Sequence, residues 1–409
     1  MPREFTHLLT PEEARALFQK AFTPRPRGTE TVPLLEAFDR VLAADIVADM
    51  DLPPFDRSTV DGYAIRAADA GSLEEPLTVV GEVHMGELPS FSLGPREAAR
   101  IPTGGALPPG ADAVVMQEHV RLLEGGRIRL TRAVGAWENV IRRGEDVQGG
   151  ETVLRAGTRL RPQEVALLAG LGRTEVQVYL APRVAVIVTG DEIVPPDQVP
   201  RPGQIRDMNT YSLTGLIRGL GAVPQPYGIV VDEMDVLLDV LRQASRTSDL
   251  ILVSGGSSVG KRDVVAEAFT ALGATIVVHG VSIKPGKPTI LAIHEGKPLV
   301  GLPGHPVSAM VVFDVFVREL LEGMLGIARR KGFGKEVRAR LARSLGPAKE
   351  REEHVRVALE ERGGEVWAVP IVGKSGVITT MVKADGIVVV PVGGAVLPEG
   401  TEVDVRLFN

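Results

Sequence analysis

Two stretches decide the fold of this chain: Val184-Ala185-Val186-Ile187-Val188-Thr189-Gly190-Asp191 and Leu250-Ile251-Leu252-Val253-Ser254-Gly255-Gly256. Each is a short, continuous apolar run that ends in a glycine-containing turn, which is typical of a strand buried on both faces of a parallel sheet. Further strands are predicted at 223–230, 275–278, 289–293 and 298–301, and helices at 211–219, 234–245, 263–272 and 307–325. This alternation predicts an α/β domain with a parallel-type sheet over residues 181–328.

The sequence on either side of this domain differs in character. Residues 49–146 are dense in Gly and Pro with short apolar runs, which predicts an inserted β-rich domain. Residues 1–48 and 147–180 are predicted to form an N-terminal linker and helical domain, with one helix near 157–172 and another from Thr10, its N-cap, to Phe22. Residues 329–409 contain alternating strand-like pieces at 366–372 and 387–392, and predict a small C-terminal β domain.

The composition is that of an ordinary globular protein with several domains, since the chain has 409 residues, of which 44% are hydrophobic and 24% charged. A net charge of −6 argues against nucleic acid as a partner. The absence of cysteine excludes disulfides, thiolate metal sites and cysteine nucleophiles. No apolar run approaches the ~18 residues of a membrane span, and the N-terminus has no apolar signal region. We therefore expect a cytoplasmic protein without a membrane partner.

The loops after the strands are the places where an α/β sheet binds its ligands. The first, Thr189-Gly190-Asp191-Glu192, sets two adjacent carboxylates at a strand end, where they could hold a hard cation or orient water. The alternative is a helix N-cap, because Asp after Gly is common at such turns.

The second loop runs from Ser254 to Gly260, and its bare backbone N–H groups can approach a phosphate closely. Its end, Gly260-Lys261-Arg262, departs from a nucleotide-binding P-loop, because Arg262 stands where Ser or Thr must ligate magnesium. Asp263 follows, and a carboxylate beside bound phosphate usually implies a metal between them. A flexible turn that requires positive φ is the structural alternative.

The third loop, Ile283-Lys284-Pro285-Gly286-Lys287-Pro288, places two lysines three residues apart in a segment whose prolines forbid a helix. Two fixed cations suit an oxyanion, and a solvated basic turn is the alternative. A further stiff loop, 301–306, contains Pro303 and His305. We predict a structural role for His305, because no second histidine lies nearby in the sequence.

Acidic, hydroxyl and arginine side chains recur in the turns of the β-rich segment. They occur in three stretches, Phe55 to Ala64, Ile101 to Ala106 and Arg142 to Asp146. As isolated turns they would be mostly structural, and composition alone leaves open whether they meet in space. The seven histidines show no zinc-binding spacing, and no nucleophile elbow of the form G-x-S-x-G occurs, so ordinary hydrolase classes are unsupported.

Taken together and in order, these motifs resemble the molybdopterin molybdenumtransferases, the MoeA and gephyrin E-domain family. The resemblance rests on Asp61-Gly62-Tyr63-Ala64, Pro102-Thr103-Gly104-Gly105-Ala106, Arg143-Gly144-Glu145-Asp146, Thr189-Gly190-Asp191-Glu192, Gly203-Gln204-Ile205, Ser254 to Gly260 with Asp263, Lys284-Pro285-Gly286-Lys287-Pro288 and Gly301-Leu302-Pro303-Gly304. It covers roughly residues 52–325, with a weaker similarity at 373–376 and 384–386. His305 departs from the family, in which Asn is usual at this position.

The resemblance implies a homodimer with four domains per chain, in which the β-rich domain of one subunit closes the α/β site of the other. Its members use magnesium, take adenylylated molybdopterin and molybdate, release AMP and leave molybdenum on the dithiolene. Carried over by position, the implied catalytic residues are Asp61, Thr103, Asp146, Glu192 and Asp263, with Asp61 and Glu192 also as magnesium ligands. The expected substrate-binding residues are Asp232, Ser254, Gly255, Gly256, Ser257, Gly260, Lys284, Lys287, Pro303, Arg351 and Ser375.

Three other functions are weighed against this one. An adenylyltransferase-like step on molybdopterin needs only the α/β domain, and the Asp61 and Thr103 motifs argue against it. A gephyrin-like scaffold would be expected to carry long linkers and extra domains. A competence-protein type of domain linked to nucleotide deamidation is disfavoured by the Lys284 to Pro288 loop. Transient contact with the molybdopterin adenylyltransferase is also expected of a molybdenum-inserting enzyme.

Overall fold

The computed structural model describes residues 8–256, 263–328, 336–348 and 350–408. The predicted ligands Ser257 and Gly260 lie outside these ranges. The predicted domain boundary falls at the edge of one range, because residue 328 is described and residue 329 is not. The α-helices are α1 Pro11–Ala21, α2 Pro162–Gly170, α3 Asn209–Leu220, α4 Met234–Thr247, α5 Val264–Leu272, α6 Pro306–Val312, α7 Arg318–Leu325 and α8 Thr379–Val382. A π-helical turn, Phe313–Val317, joins α6 to α7.

The strands are short and numerous. In chain order they are β1 Thr29–Pro33, β2 Ile46–Val47, β3 Arg57–Ser58, β4 Gly62–Ile65, β5 Leu77–Glu82, β6 Glu97–Ile101, β7 Ala113–Met116, β8 Val120–Leu123, β9 Arg127–Leu130, β10 Val140–Ile141, β11 Thr152–Leu154, β12 Glu175–Tyr179, β13 Arg183–Thr189, β14 Ile193–Val194, β15 Ile205–Arg206, β16 Val223–Val230, β17 Leu250–Gly255, β18 Thr275–His279, β19 Ile283–Lys284, β20 Ile290–His294, β21 Lys297–Leu302, β22 Glu336–Leu341, β23 Glu352–Arg362, β24 Glu365–Pro370, β25 Gly386–Val390 and β26 Glu402–Leu407.

The chain divides into two compact units. The larger unit comprises the described residues up to 30, 39–43 and those from 177 onward. The smaller unit comprises 31–38 and 44–176. The finer division into four domains stays a prediction.

Helix α1 begins where the sequence predicts it. The Thr10 side chain accepts from the Glu13 N–H, and the Glu13 carboxylate accepts from the Thr10 N–H, at 3.2 and 2.8 Å. This reciprocal capping satisfies two of the N–H groups that a helix start leaves without partners. Ala14 and Phe18, one turn apart on the apolar face, are buried in the core of the larger unit.

The α/β sheet of the larger unit has the strand order β16-β13-β17-β21-β20-β18. Neighbours among the first four strands are parallel, as predicted, but β20 is antiparallel to both β21 and β18. The predicted parallel-type sheet is therefore confirmed for these four strands, and β20 adds antiparallel pairings to it. The reason is the two-residue turn Glu295-Gly296, whose φ values of 49° and 72° are those of a tight hairpin.

Both faces of this sheet are buried, which explains its continuous apolar strands. Along β13, Val184 and Val186 face one core with α3, while Ala185 and Ile187 face another with α4 and α5. Each fully buried Val or Ile side chain contributes about 1.5–3 kcal/mol of transfer free energy. An alternating polar pattern would place charges in one of the two cores.

The smaller unit contains a six-stranded sheet in the order β7-β4-β6-β5-β9-β8. Its strands alternate between two apolar clusters, with Ile65 and Val115 in one and Ala64 and Val114 in the other. Strand β4 begins directly after Asp61, and β6 ends at Ile101, two residues before Thr103. The antiparallel pairing of Gly62 with Ile101 brings the two predicted site residues to the same end of the sheet.

The C-terminal part of the larger unit is a small barrel. Strand β23 pairs with β24 on one side and with β25 on the other, and the order β23-β24-β22-β26-β25 therefore closes on itself. Strand β19, from the α/β segment, joins the edge of β23 through the pairs Ile283–Glu352 and Lys284–Glu353. The predicted small C-terminal β domain is confirmed. Across the described ranges of the chain, every helix is too short or too polar to cross a membrane.

Candidate functional site

The predicted loops after β13, β17 and β21 border one cavity of about 1440 Å3. These strands are parallel neighbours, so their carboxyl ends lie at the same edge of the sheet. Thr189, Gly255 and Pro303 line the cavity from these ends. The loops after β13, β17 and β21 that the sequence analysis singled out therefore border the same cavity.

Hydrogen bonds connect the loop after β13 to Asp232, and so place Asp191 beside it. The Thr189 hydroxyl donates to Asp232 Oδ1 at 2.5 Å, and the Asp232 N–H donates to Asp191 Oδ1 at 3.0 Å. Asp191 thus fixes the segment that carries Asp232, while Glu192 is exposed and lines the cavity. The alternative of a helix N-cap is wrong, because the short strand β14 follows this turn at Ile193.

The loop after β17 depends on glycine. At Gly255 φ is +113°, and a Cβ atom there would lie 1.9 Å from the Thr189 carbonyl oxygen. A side chain at this position would collide with the backbone of β13, so glycine is required here. Gly256, with φ of +61°, also lines the cavity.

Ser254, a predicted substrate ligand, is fully buried, and its hydroxyl bonds to other parts of the protein. Its hydroxyl accepts from Asn209 Nδ2 at 2.7 Å and donates to the Pro303 carbonyl at 3.3 Å. Asn209 Nδ2 also donates to the Gly304 carbonyl at 2.8 Å. These bonds join the starts of α3 and of the 303–304 loop to β17, so Ser254 holds the cavity wall together.

Asp263, predicted to be catalytic, uses both carboxylate oxygens within the protein. Oδ1 accepts from the Ala266 N–H at 3.1 Å and caps α5, whereas Oδ2 lies 2.8 Å from His279 Nε2. The structure thus gives Asp263 a capping role, and its predicted role in catalysis stays a prediction.

The two lysines of the third loop both line the cavity. Lys284 forms an ion pair with Glu353 of the barrel, with Nζ and Oε1 2.9 Å apart. Between the lysines, Gly286 has φ of +131°, and a Cβ atom there would lie 2.6 Å from Val312. Thr289 donates to the Gly286 carbonyl at 2.7 Å and so stabilises the turn that carries both cations.

Ser375 of the C-terminal region meets the α/β segment at His305. The Ser375 hydroxyl lies 2.9 Å from His305 Nδ1, and the Val307 N–H donates to the Ser375 carbonyl at 3.2 Å. The predicted structural role of His305 agrees with these contacts. Both residues line the cavity, as does Arg351.

The sequence analysis missed several cavity residues of the barrel, namely Arg343, His354, Arg356 and Lys374. A usable signal existed in the alternation His354-Val355-Arg356-Val357, because period-two alternation predicts a strand that turns His354 and Arg356 to one face. With Lys284, Lys287 and Arg351, these residues bring the lining, as far as the structure describes it, to six lysines and arginines against three acidic residues. The cavity is therefore electropositive and suits an anion.

The predicted site residues of the smaller unit form a second group. Asp61 Oδ1 accepts from the Thr103 N–H at 2.7 Å and from its hydroxyl at 3.0 Å. These two hydrogen bonds, the backbone bond first, lower the pKa of Asp61, so the carboxylate stays ionised. Asp146 is exposed in the turn that follows β10. All three lie in the smaller unit, whereas the cavity belongs to the larger one.

The donor set for magnesium is incomplete within the cavity. Among the residues that the structure describes, no three His, Cys, Asp or Glu side chains are grouped as a metal site. Glu192 and Asp232 nevertheless line the cavity, and Mg²⁺ commonly binds one or two carboxylates together with substrate phosphates. These oxygens fit the ion in part.

An α/β sheet with an electropositive cavity at its strand ends defines the class of α/β proteins whose site suits an anionic ligand. Comparison with known families is more specific. Three family models match in succession: the MoeA N-terminal region (domain I and II) at residues 9–172, a probable molybdopterin binding domain at 185–323 and the MoeA C-terminal region (domain IV) at 338–408.

Individual proteins agree with these matches. A molybdopterin molybdenumtransferase of Bacillus subtilis is 33% identical over 93% of this chain and 90% of its own length. One from a Nostoc species is 39% identical over 74% of this chain and 71% of its own. A crystal structure of the molybdopterin biosynthesis MoeA protein of Pyrococcus horikoshii, 32% identical, covers 98% of this chain and 100% of that one with a TM-score of 0.83. The chain belongs to the MoeA family, and its class is that of the transferases of molybdenum cofactor biosynthesis, as the motifs predicted.

Proposed function

We propose that this protein inserts molybdate into adenylylated molybdopterin and releases AMP. The observation that carries the proposal is the electropositive cavity at the strand ends, which two lysines of one turn line together with Arg351 and Ser375. A site for two anions at once, an oxyanion and a nucleotide phosphate, needs such an excess of positive charge.

Each wall of the cavity has its own task in this reaction. Lys284 and Lys287 bind molybdate, together with Arg351 and the Ser375 hydroxyl, which line the same cavity. The N–H groups around Gly255 and Gly256 are suited to the phosphates of the pterin nucleotide, because glycine lets the backbone approach them closely. Asp232, held by Thr189, is available to orient the bound substrate. Binding both reactants in fixed positions lowers the barrier chiefly by orientation.

Asp61 and Glu192 are proposed to hold magnesium at the phosphoric anhydride of the substrate. The ion would neutralise charge that develops on the phosphate as the anhydride bond breaks. Thr103 keeps Asp61 ionised and oriented through its two hydrogen bonds. Asp146 is a further candidate for catalysis on the same unit. Since Asp61 and Glu192 belong to different units, their cooperation is part of the proposal.

The active form is proposed to be a homodimer, in which the smaller unit of one chain supplies Asp61 to the cavity of the other. Isologous contacts of this kind complete many active sites. A transient complex with the molybdopterin adenylyltransferase would hand over the labile substrate, and the cytoplasm is the proposed compartment.

The deciding experiment is AMP release from adenylylated molybdopterin with and without molybdate. Molybdate-dependent AMP release is expected, with molybdenum bound to the product. Adenylylation of molybdopterin from ATP without AMP release would contradict the proposal and favour the neighbouring biosynthetic step. Lys284→Ala and Lys287→Ala should each raise the half-saturating molybdate concentration, about tenfold for one lost charge-assisted contact. Unchanged molybdate dependence with lost nucleotide binding would make these lysines phosphate ligands.

A further inference from the structure

His305 and Ser375 share a hydrogen bond whose direction depends on the charge of the imidazole ring. His305 Nδ1 lies 2.9 Å from the Ser375 hydroxyl, and both side chains line the cavity. The ring of His305 is exposed, and its Nε2 has no hydrogen-bond partner among the described residues. The second nitrogen is therefore open to water, and the ring can take up or lose a proton there.

The backbone holds this contact in place without help from the two side chains. The Val307 N–H donates to the Ser375 carbonyl at 3.2 Å, which ties the 373–376 turn to the first turn of α6. Helix α6 begins with Pro306, and the His305 side chain makes no capping hydrogen bond to it. Replacing the imidazole or the hydroxyl should therefore leave the turn and the helix where they are.

The single proton of the Ser375 hydroxyl decides whether this residue can bind an anion. A neutral imidazole carries one N–H. When that N–H is on Nε2 and donates to water, Nδ1 of His305 accepts the proton of the Ser375 hydroxyl. The hydroxyl oxygen then presents only lone pairs to the cavity, and these repel the oxygens of an oxyanion.

A charged imidazole reverses the hydrogen bond. It carries an N–H on both nitrogens, so Nδ1 of His305 becomes the donor and the Ser375 oxygen becomes the acceptor. The hydroxyl proton is released and can point to an oxyanion in the cavity. The positive charge of the ring adds a direct attraction for the same anion.

We propose that His305 is a positioning residue of the anion site, which makes the Ser375 hydroxyl a donor to the bound oxyanion when the imidazole is protonated. Histidine changes its charge between about pH 5 and about pH 8, so molybdate affinity should rise as the pH falls through this range. The inference deepens the proposed function and rests on it in taking Ser375 as a molybdate ligand.

The other charged groups near His305 do not produce this pH dependence. Helix α6 and strand β17 contain no charged residue, and the 373–376 turn contributes Lys374. Carboxylates, lysines and arginines ordinarily keep their charges between about pH 6 and about pH 8. The carboxylates of the described lining are Glu192, Asp232 and Glu353. His354 also lines the cavity, but it is buried, with its Nε2 2.8 Å from Glu352.

The test is calorimetric titration of the full chain with sodium molybdate at about pH 6 and at about pH 8, at constant ionic strength. Wild-type affinity should be about tenfold higher at the lower pH, as expected for one hydrogen bond to a charged group. His305→Asn, which keeps a polar side chain that does not titrate, should lose this ratio. His84→Asn, which replaces an exposed histidine of the smaller unit, is the matched control and should keep it.

Ser375→Ala separates the hydroxyl from the charge of the ring. The variant should lose about tenfold in molybdate affinity at the lower pH and little at the higher pH, because the hydroxyl is a donor only beside a charged ring. A merely structural serine would lose affinity equally at both pH values, and that result would overturn the proposal. Since the anion is the same in every protein, titration of molybdate itself cannot produce a difference between variants.

Two further outcomes are decisive. If His305→Asn kept the wild-type ratio, the pH dependence would belong to another group, such as His354, and the proposal would be wrong. Molybdate binding by the wild type that does not change with pH would refute the role of His305 and leave the proposed function standing. Absence of molybdate binding at both pH values would instead refute the proposed molybdate site.

Discussion

Glu353 should weaken molybdate binding, because its carboxylate already pairs with Lys284, a proposed molybdate ligand. Its Oε1 lies 2.9 Å from Lys284 Nζ, and the two side chains are 33% and 56% exposed. An incoming dianion must share Lys284 with this carboxylate or displace it. Glu353→Gln keeps the shape of the side chain and removes the competing charge.

The magnitude follows from the exposure of the pair. Exposed ion pairs contribute about 0–1 kcal/mol, and two unit charges about 4 Å apart in water interact by about 1 kcal/mol. Removing both the competing pair and the repulsion of the dianion should therefore improve binding by about 1–2 kcal/mol, roughly 5- to 30-fold in molybdate affinity. The free energy of unfolding should change by less than about 1 kcal/mol.

Calorimetric titration with molybdate measures the affinity directly, and half-saturation of AMP release gives a second value. The gain should shrink as ionic strength rises, because the Debye length shortens. Glu360→Gln is the matched control, since Glu360 is exposed on the same strand and pairs with Arg362. Weaker molybdate binding by Glu353→Gln would refute the reasoning and show that Glu353 orients Lys284 for its ligand.

Three further predictions concern the two units. Asp61→Asn and Glu192→Gln should each keep the unfolding temperature of the wild type, while the rate of AMP release falls at least about a hundredfold. A loss of this size is expected when general acid–base or metal-ion catalysis is removed. Wild-type turnover in either variant would show that the residue is not part of the site. Gly255→Ala should lower the free energy of unfolding by about 3 kcal/mol or more in urea denaturation, given a Cβ only 1.9 Å from a carbonyl oxygen, whereas Gly215→Ala, inside α3 with open space around it, should raise it by about 0.5–1 kcal/mol. Mixed dimers of Asp61→Asn and Lys287→Ala chains should regain part of the activity if sites are shared between subunits, and inactive mixed dimers would count against sharing.

The order of strands and helices in the α/β segment could be predicted because burial on both faces leaves a strong signal. The Val184 to Val188 run lies within β13, and the bounds of α4 and α5 differ from prediction by at most two residues. The direction of β20 could not be derived from apolar runs, since these are the same in parallel and antiparallel strands. It depends on Glu295 adopting a positive φ before Gly296.

The candidate site divides in a similar way. The loops that contain Gly255 and the two lysines could be predicted from sequence, because glycine and proline mark turns with strict backbone requirements. Gly255, Lys284 and Lys287 all border the cavity. The engagement of Ser254 with Asn209 was not predictable, because it joins segments 45 residues apart. Arg356 was missed for a related reason: its burial and its bond to the Gly373 carbonyl arise only in the folded arrangement.

The pairing of β19 with β23 constrains how chains of this family can be recombined. Two regions that match separate family models share one sheet edge, because Ile283 and Lys284 hydrogen bond alongside Glu352 and Glu353. A fragment that starts at 336 would leave this edge without its neighbouring strand and open to pairing with another copy. A chimaera between relatives should therefore exchange the short Ile283–Lys284 segment together with the barrel. Here the natural crossover point lies inside the α/β segment, about fifty residues upstream of the position that a domain map suggests.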